Sequence, residues 1–202
     1  MFFTDTGKLL YVSAFFLQNL DSEGINIGEI NEDFDEKSEK ILNIISVKDF
    51  KEPIDVYFFT KNGLIKKTAL EEFKMENTST IAYKFRGKDT LINVEFLDKE
   101  KDNDIIIITL KGMSIRFLSK NISYMGKIAS GVTGISLDEE DEALYGFLCH
   151  EEYKAVTVKS KNKESKIIPL EEFKLQNRAG RGKNIMLVLM GDRIKEIKIR
   201  RR

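Results

Sequence analysis

The sequence predicts an all-β protein, an array of about four four-stranded sheets set like blades around a common axis. A phrase recurs along it: a β-branched or aromatic run, a threonine, a short turn, then a second apolar run. It reads Phe2-Phe3-Thr4 before Gly7, Phe58-Phe59-Thr60 before Gly63, Ile107-Ile108-Thr109 before Gly112, and Val156-Thr157-Val158 without a matching glycine. The threonines are 56, 49 and 48 residues apart. Self-similarity at this spacing marks a modular array, because one such unit cannot bury its own apolar face. Helical periodicity is scarce, and only two prolines interrupt the chain. One domain is expected over residues 1–202, with repeats near 1–50, 51–100, 101–150 and 151–202. Blades around an axis would hide most strand edges.

The first unit carries Gly24 and Gly28 before Ile30, then an acidic run over residues 31–39 and a strand at Ile41-Leu42-Asn43-Ile44-Ile45. A short helix over residues 34–42 is the alternative reading. The second unit is the clearest. Val56-Tyr57-Phe58-Phe59-Thr60 is a strand by β-branched and aromatic content. Asn62-Gly63 supplies the positive-φ pair of a tight hairpin, and Leu64-Ile65-Lys66-Lys67-Thr68 returns. Strands are then expected over 80–85 and 90–97.

The third unit repeats this grammar over 104–109, a turn at Lys111-Gly112, and 113–117. Gly126, Gly131 and Gly134 punctuate a loop, and residues 143–149 close the unit. The fourth runs from Tyr153 through Lys166-Ile167-Ile168-Pro169, then residues 176–182, 185–190 and 194–199. Leu70-Glu71-Glu72-Phe73 returns as Leu170-Glu171-Glu172-Phe173, two periods later.

A chain of 202 residues with 42% hydrophobic content can fill a real core. Its net charge is zero, but the distribution is uneven. Residues 1–60 carry 5 basic and 12 acidic side chains, 61–150 carry 13 and 14, and 151–202 carry 15 and 7. Such a gradient points to an anionic partner at the basic end. Cys149 is the one cysteine, which excludes an internal disulfide and reads as a small buried thiol. His150 is the one histidine, so no histidine-rich metal site or histidine pair is available. The carboxylates over 138–142 lack EF-hand spacing and read as a turn. No phosphate-binding Gly-x-x-x-x-Gly-Lys loop is present. No apolar run of about 18 residues exists, and the start lacks the pattern of a signal peptide. The expectation is a cytoplasmic protein with no membrane contact and no cofactor. Met1 lies on a repeat strand, which suggests a piece of a longer protein.

Phe59-Thr60-Lys61-Asn62-Gly63-Leu64-Ile65-Lys66-Lys67-Thr68-Ala69-Leu70-Glu71-Glu72-Phe73, Gly112-Met113-Ser114-Ile115-Arg116-Phe117, and Met125-Gly126-Lys127 with Gly131-Val132-Thr133-Gly134-Ile135 carry a family resemblance. Over essentially its whole length, the chain resembles the C-terminal domain of the A subunit of bacterial type IIA topoisomerases, DNA gyrase and topoisomerase IV. The resemblance implies a β-pinwheel, a propeller-like ring of four-stranded blades that exchange strands with their neighbours. It implies an outer basic rim that bends or wraps double-stranded DNA. The implied partners are the remainder of the topoisomerase A subunit, together with its ATPase subunit. This fragment would be non-catalytic, since the tyrosine nucleophile of that ATP-dependent reaction lies in another domain. Gyrase carries a signature Gln-Arg-Arg-Gly-Gly-Arg-Gly. Here Gln176-Asn177-Arg178-Ala179-Gly180-Arg181-Gly182 matches it at five of seven positions, in the last blade rather than the first. Those departures, and four blades instead of six, leave both topoisomerase IV and a divergent gyrase open.

A duplex carries one negative charge per about 1.7 Å of axis, so a wrapping surface needs cations repeated along a path. Each unit supplies candidates just after its first turn: Lys8, Lys66 with Lys67, Arg116 and Lys166. Arg178, Arg181 and Lys183 add charge beside Gly180 and Gly182, which would let backbone N–H groups approach phosphate. No base-reading helix is suggested, so binding would follow phosphate position and DNA deformability. The other readings are solvated edge guards and a protein-interaction propeller that has lost DNA wrapping. The basic tail over 195–202 is either a phosphate grip or a frayed end, and the acidic stretch over 29–39 a surface loop or an autoinhibitory strip.

Overall fold

The computed structural model describes residues 1–17, 24–74 and 77–201; the last residue of the basic tail, Arg202, lies outside them. In chain order the first repeat holds β1 (Phe2–Thr4), β2 (Lys8–Leu10), two four-residue helices α1 (Ala14–Leu17) and α2 (Ile27–Ile30), and β3 (Ile41–Ile44). The second holds β4 (Ile54–Thr60), β5 (Leu64–Ala69), β6 (Ser79–Ile81) and β7 (Leu91–Asp98). The third holds β8 (Asp104–Thr109), β9 (Met113–Leu118), β10 (Val132–Thr133) and β11 (Ala143–Leu148). The fourth holds β12 (Tyr153–Ser160), β13 (Ser165–Pro169), β14 (Lys183–Asn184) and β15 (Ile194–Arg201). The all-β expectation is met. The helix expected as an alternative over 34–42 is not formed, and the strand at Ile41 is. The tail is not frayed, since β15 pairs along the whole of β12.

The sheets run β3-β1-β2-β6, β10-β5-β4-β7, β11-β8-β9-β14 and β13-β12-β15. Blade 1 is therefore completed by a strand from repeat 2, blade 2 by one from repeat 3, and blade 3 by one from repeat 4. This is the strand exchange that the resemblance implied. Three blades have four strands; blade 4 has three among the described residues, one fewer than expected. After the second strand of repeats 2, 3 and 4 the chain passes a 3-10 turn, at Leu70–Phe73, Ser119–Asn121 and Leu170–Glu172. That turn carries the following two- or three-residue strand onto the neighbouring blade, where its N–H and C=O groups find partners.

The hairpin turns share one hydrogen-bond pattern. Thr4, Thr60 and Thr109 each accept through Oγ1 from the backbone N–H four residues on, at 3.2 Å. Gly7, Gly63 and Gly112 close the turns at φ of 78°, 75° and 82°. A Cβ on Gly112 would lie 2.3 Å from the Met186 oxygen, so only glycine fits there. In repeat 4 the structure moves the anchor from Thr157 to Ser160. Lys163 N donates to the Ser160 oxygen, as Gly63 and Gly112 do to theirs, and Lys163 itself takes φ 70°. A lysine tolerates the left-handed region at a cost, which is why no glycine marked this turn. The turns of repeats 2 to 4 are each buttressed by an aspartate ahead of the inner strand. Asp89, Asp141 and Asp192 accept through Oδ1 from Asn62, Lys111 and Asn162 N–H at 3.0, 2.9 and 3.2 Å.

The core lies between blades, because alternate strand residues face opposite sides. In β4, Val56 and Phe58 pack toward blade 1, whereas Tyr57 and Phe59 pack toward blade 3. In β8, Ile105 and Ile107 face blade 2, and Ile106 and Ile108 face blade 4. Gly146 on β11 lets the blades close, since a Cβ there would come within 2.2 Å of the Phe59 ring. The inner strands β3, β7, β11 and β15 surround a polar cavity of about 600 Å³, lined among others by Asn43, Asn93, Glu95, Tyr145, Tyr153 and Arg201. Glu95 accepts from Leu148 N at 2.7 Å and Asn93 Nδ2 at 3.0 Å, tying β7 to β11. Burial raises its carboxyl pKa to about 7.

Candidate nucleic-acid interface

The five cations after the first turns occupy three different strand positions. Counting from the anchoring hydroxyl, Lys66 and Lys166 are equivalent, opposite Phe58 and Val158 in the ladder. Lys67 and Arg116 share the next position, opposite Tyr57 and Ile106. Lys8 stands two residues earlier than Lys66, level with the start of its strand.

Most of these cations are already committed inside the protein. Lys66 is 0% exposed. Its Nζ donates to the carbonyls of Ala82 (2.5 Å) and Lys127 (2.6 Å) and lies over the rings of Phe58 and Tyr83. Burial lowers its pKa to about 7, and no phosphate can reach it. Lys67 is also buried, with Nζ 4.2 Å from the Tyr124 ring centroid. Arg116 donates to Asp104 Oδ2 at 2.6 Å and to the carbonyls of Leu170 and Phe173 at 2.9 and 3.2 Å. Lys8 pairs with Glu39 and donates to the Asp33 carbonyl at 2.6 Å. The acidic stretch thus covers blade 1 rather than hanging free, held also by Asn31, which donates to the carbonyls of Tyr11 and Thr78 at 3.0 Å. Lys166 is exposed, and its Nζ donates to the Ile185 carbonyl at 2.8 Å.

The motif at residues 176–182 is placed by strand exchange. It belongs to repeat 4 in sequence but packs on blades 3 and 2. Gln176 N donates to the Arg116 carbonyl (2.7 Å), Ala179 N to the Gly134 carbonyl (2.9 Å), and Gly180 O accepts from Ser136 N (2.9 Å). Gly182 takes φ 80°, and a Cβ there would lie 2.4 Å from the Ser114 oxygen. Ala179 takes φ 67°, where the resembled signature has glycine. Arg178, half-buried, donates from Nη1 to the Thr133 carbonyl at 2.5 Å. Arg181 and Lys183 are exposed.

The same turn recurs one repeat earlier, a correspondence that the motif's residue types do not announce. Met125 N donates to the Lys67 carbonyl at 2.9 Å, as Gln176 does to Arg116. Gly131 matches Gly182 at φ 75°, and Lys127 stands where Arg178 does. The signal was available: Gly131 and Gly182 each precede an exchanged strand 51 residues apart. Lys84 is tied to the earlier turn, because its N–H meets the Ala129 carbonyl at 3.4 Å, as Ser136 meets Gly180. The cations on these turns and the segments bonded to them are Lys84, Lys127, Arg178, Arg181 and Lys183. No helix among the described residues is long and apolar enough to cross a membrane. No group of three metal-ligating side chains occurs among them either. Burial pushes the Cys149 thiol up to about 12, the direction expected of an inert thiol.

A family model described as the DNA gyrase C-terminal domain, beta-propeller, matches residues 55–98, 103–149 and 165–196, the repeats of blades 2 to 4. The A subunit of DNA gyrase from Staphylococcus aureus (strain NCTC 8325 / PS 47) is 32% identical over 185 residues, covering 90% of this chain. The chain spans 21% of that relative's length. A crystal structure of the C-terminal domain of DNA topoisomerase IV superposes with a TM-score of 0.91 at 26% identity, over 99% of this chain and 62% of that one. A structure of the DNA gyrase A C-terminal domain gives 0.59 at 18% identity, over 98% and 80%, a likeness of fold alone.

Proposed function

Since the chain belongs to the DNA gyrase C-terminal domain beta-propeller family, we propose that it is a non-catalytic module that holds duplex DNA along its outer-strand rim and bends it. The observation that carries this reading is the repeated turn preceding β10 and β14. In each, a positive-φ glycine and a set of backbone bonds hold a cation, Lys127 or Arg178, at the edge of the neighbouring blade. Arg181 and Lys183 extend that line. Phosphate contact through such a rim is electrostatic and carries no base code, so affinity would follow salt and DNA deformability. In this reading the module serves a type IIA topoisomerase in the cytoplasm as part of its A subunit. Its partners are the rest of that polypeptide, together with the ATPase subunit. Both gyrase and topoisomerase IV fit it.

The protein-interaction reading also has an observation in its favour. Lys8, Lys66, Lys67 and Arg116 are consumed by internal partners, which leaves fewer cations than the sequence promised. Reversing Arg178, Arg181 and Lys183 to Glu separates the two. Each phosphate contact adds about 0.9 to the slope of log K against log salt. Losing three would flatten that slope by about 2.7, roughly 40-fold between about 50 and 200 mM salt. Duplex binding by fluorescence anisotropy at both salts measures it. An unchanged slope with an intact circular-dichroism spectrum overturns DNA holding by this rim.

A further inference from the structure

The exchanged turn on blade 1 is covered by an acidic segment, where those on blades 2 and 3 present cations. We propose that residues 29–39 keep duplex DNA off blade 1 and confine it to the exchanged turns on blades 2 and 3. The inference rests on the DNA-holding reading above and adds where the DNA stops.

Backbone bonds set the equivalence between repeats. Asp5, Lys61, Leu110 and Lys161 N–H donate to the carbonyls of Lys40, Thr90, Glu142 and Arg193, which mark one point just ahead of β3, β7, β11 and β15. The segment leading to that point lies against a neighbouring exchanged turn. In repeat 2 Lys84 N–H meets Ala129 O, and in repeat 3 Ser136 N–H meets Gly180 O. In repeat 1 side chains make the contact, and they make it on Thr78. Asn31 Nδ2 donates to its carbonyl at 3.0 Å, and its hydroxyl donates to Asp33 Oδ2 at 2.7 Å. The ladder then locates Thr78. Thr80 faces Leu9 as Lys183 faces Ser114, and Leu9 and Ser114 each lie five residues after the anchoring threonine. Thr78 and Thr80 therefore stand where blade 3 has Arg181 and Lys183.

Blade 1 thus has hydroxyls in place of two cations, and an acidic segment docks on the first of them. Residues 29–39 hold six carboxylates against one lysine, Lys37. Glu29, Glu32, Asp33, Asp35 and Glu36 are exposed. Hydrogen bonds from Thr78 and Ser79 hold the Asp33 carboxyl below its usual range, and those from Ser38 and the Lys37 N–H do the same for Asp35. Both stay charged at neutral pH. Lys8 is spent on fastening the segment, through Asp33 O at 2.6 Å and the Glu39 carboxylate. A phosphate approaching this face meets like charge, which turns a partner away.

The test removes the exposed carboxylates with Glu29→Gln, Glu32→Gln, Asp33→Asn, Asp35→Asn and Glu36→Gln, amides that still accept hydrogen bonds and leave Lys8 and Glu39 paired. A control carries Glu100→Gln, Glu151→Gln, Glu152→Gln, Glu171→Gln and Glu172→Gln, all at exposed positions. Duplex binding is read by anisotropy at about 50 and 200 mM salt, and contact by lysine acetylation footprinting. Duplex bound to the parent should shield Lys183 and leave reactive the exposed Lys40, which ends the acidic segment, and Lys74, which enters the blade 1 turn. In the neutralised variant both should be shielded. Its slope of log K against log salt should steepen by about 1.8, two contacts at about 0.9 each, roughly 12-fold between the two salts. The control should keep the parent's slope. Shielding of Lys40 and Lys74 in the parent, which needs no variant, or a variant slope equal to the control's, overturns this inference and leaves DNA holding intact. A parent without salt-dependent binding removes DNA holding itself, and this inference with it.

Discussion

Replacing Lys66 separates a structural lysine from a phosphate-binding one. Lys66→Met keeps most of the apolar stem packed on Phe58 and Tyr83 and removes the ammonium that bridges Ala82 O and Lys127 O. Leaving two buried carbonyls without a donor costs about 1–3 kcal/mol each, and removing a buried amine from a dry site returns part of that. A net loss of about 2 kcal/mol is expected, and Lys66→Ala, which also opens a cavity, should lose about 4 kcal/mol. The pH dependence carries the sharper signature. With a folded pKa lowered to about 7, the unfolded chain holds a proton that the folded chain lacks between pH 7 and 10.5. Folded stability therefore rises with pH across that window, by up to about 1.4 kcal/mol per pH unit. Urea denaturation of both forms at pH 7, 8 and 9 should show that rise in the parent and its loss in Lys66→Met. The salt slope of duplex binding should be the same for both. A variant as stable as the parent at every pH, with a shallower salt slope, would sink the structural role.

Two further outcomes follow from other sites. Glu95 has a folded pKa raised to about 7 from 4.5, so the stability that its protonation lends is full below pH 4.5 and lost as pH rises through 7. Glu95→Gln cannot accept both bonds but no longer titrates, so its stability relative to the parent should be about 2–3 kcal/mol higher at pH 8 than at pH 4.5; an offset between the two urea midpoints that is the same at both pH values would contradict this. Ala179 sits at φ 67°, a region costly for any residue with a Cβ. Ala179→Gly should raise stability by about 0.5–1 kcal/mol after the added chain entropy of glycine is counted, read as an increase in Tm.

Much of the fold was legible because its cues are local. The β-branched runs wrote β4 and β5 directly, but the turn between them differs from the expected positive-φ pair, since Gly63 takes positive φ and Asn62 does not; the recurrence of Leu70-Glu71-Glu72-Phe73 as Leu170-Glu171-Glu172-Phe173 coincides with 3-10 turns after β5 and β13. The fourth anchor was misplaced at Thr157 because Lys163 does a glycine's work in the turn, and a lysine gives no sign of positive φ. The site was less legible. Lys66 and Lys166 occupy one ladder position and would be ranked alike, yet one is buried and the other faces solvent.

By itself, the order of residues decided the class, the module spacing and the turn chemistry, since strand alternation and hairpin geometry are set within a few residues. Tertiary structure decided which blade each edge strand joins. It carried residues 176–182 onto blades 3 and 2 and set Lys127 and Arg178 at equivalent positions of two repeated turns. The physical reason is that a two-residue strand has too little pairing of its own to choose a sheet. Its partner, and the burial of every lysine it covers, come from whichever neighbouring edge it completes.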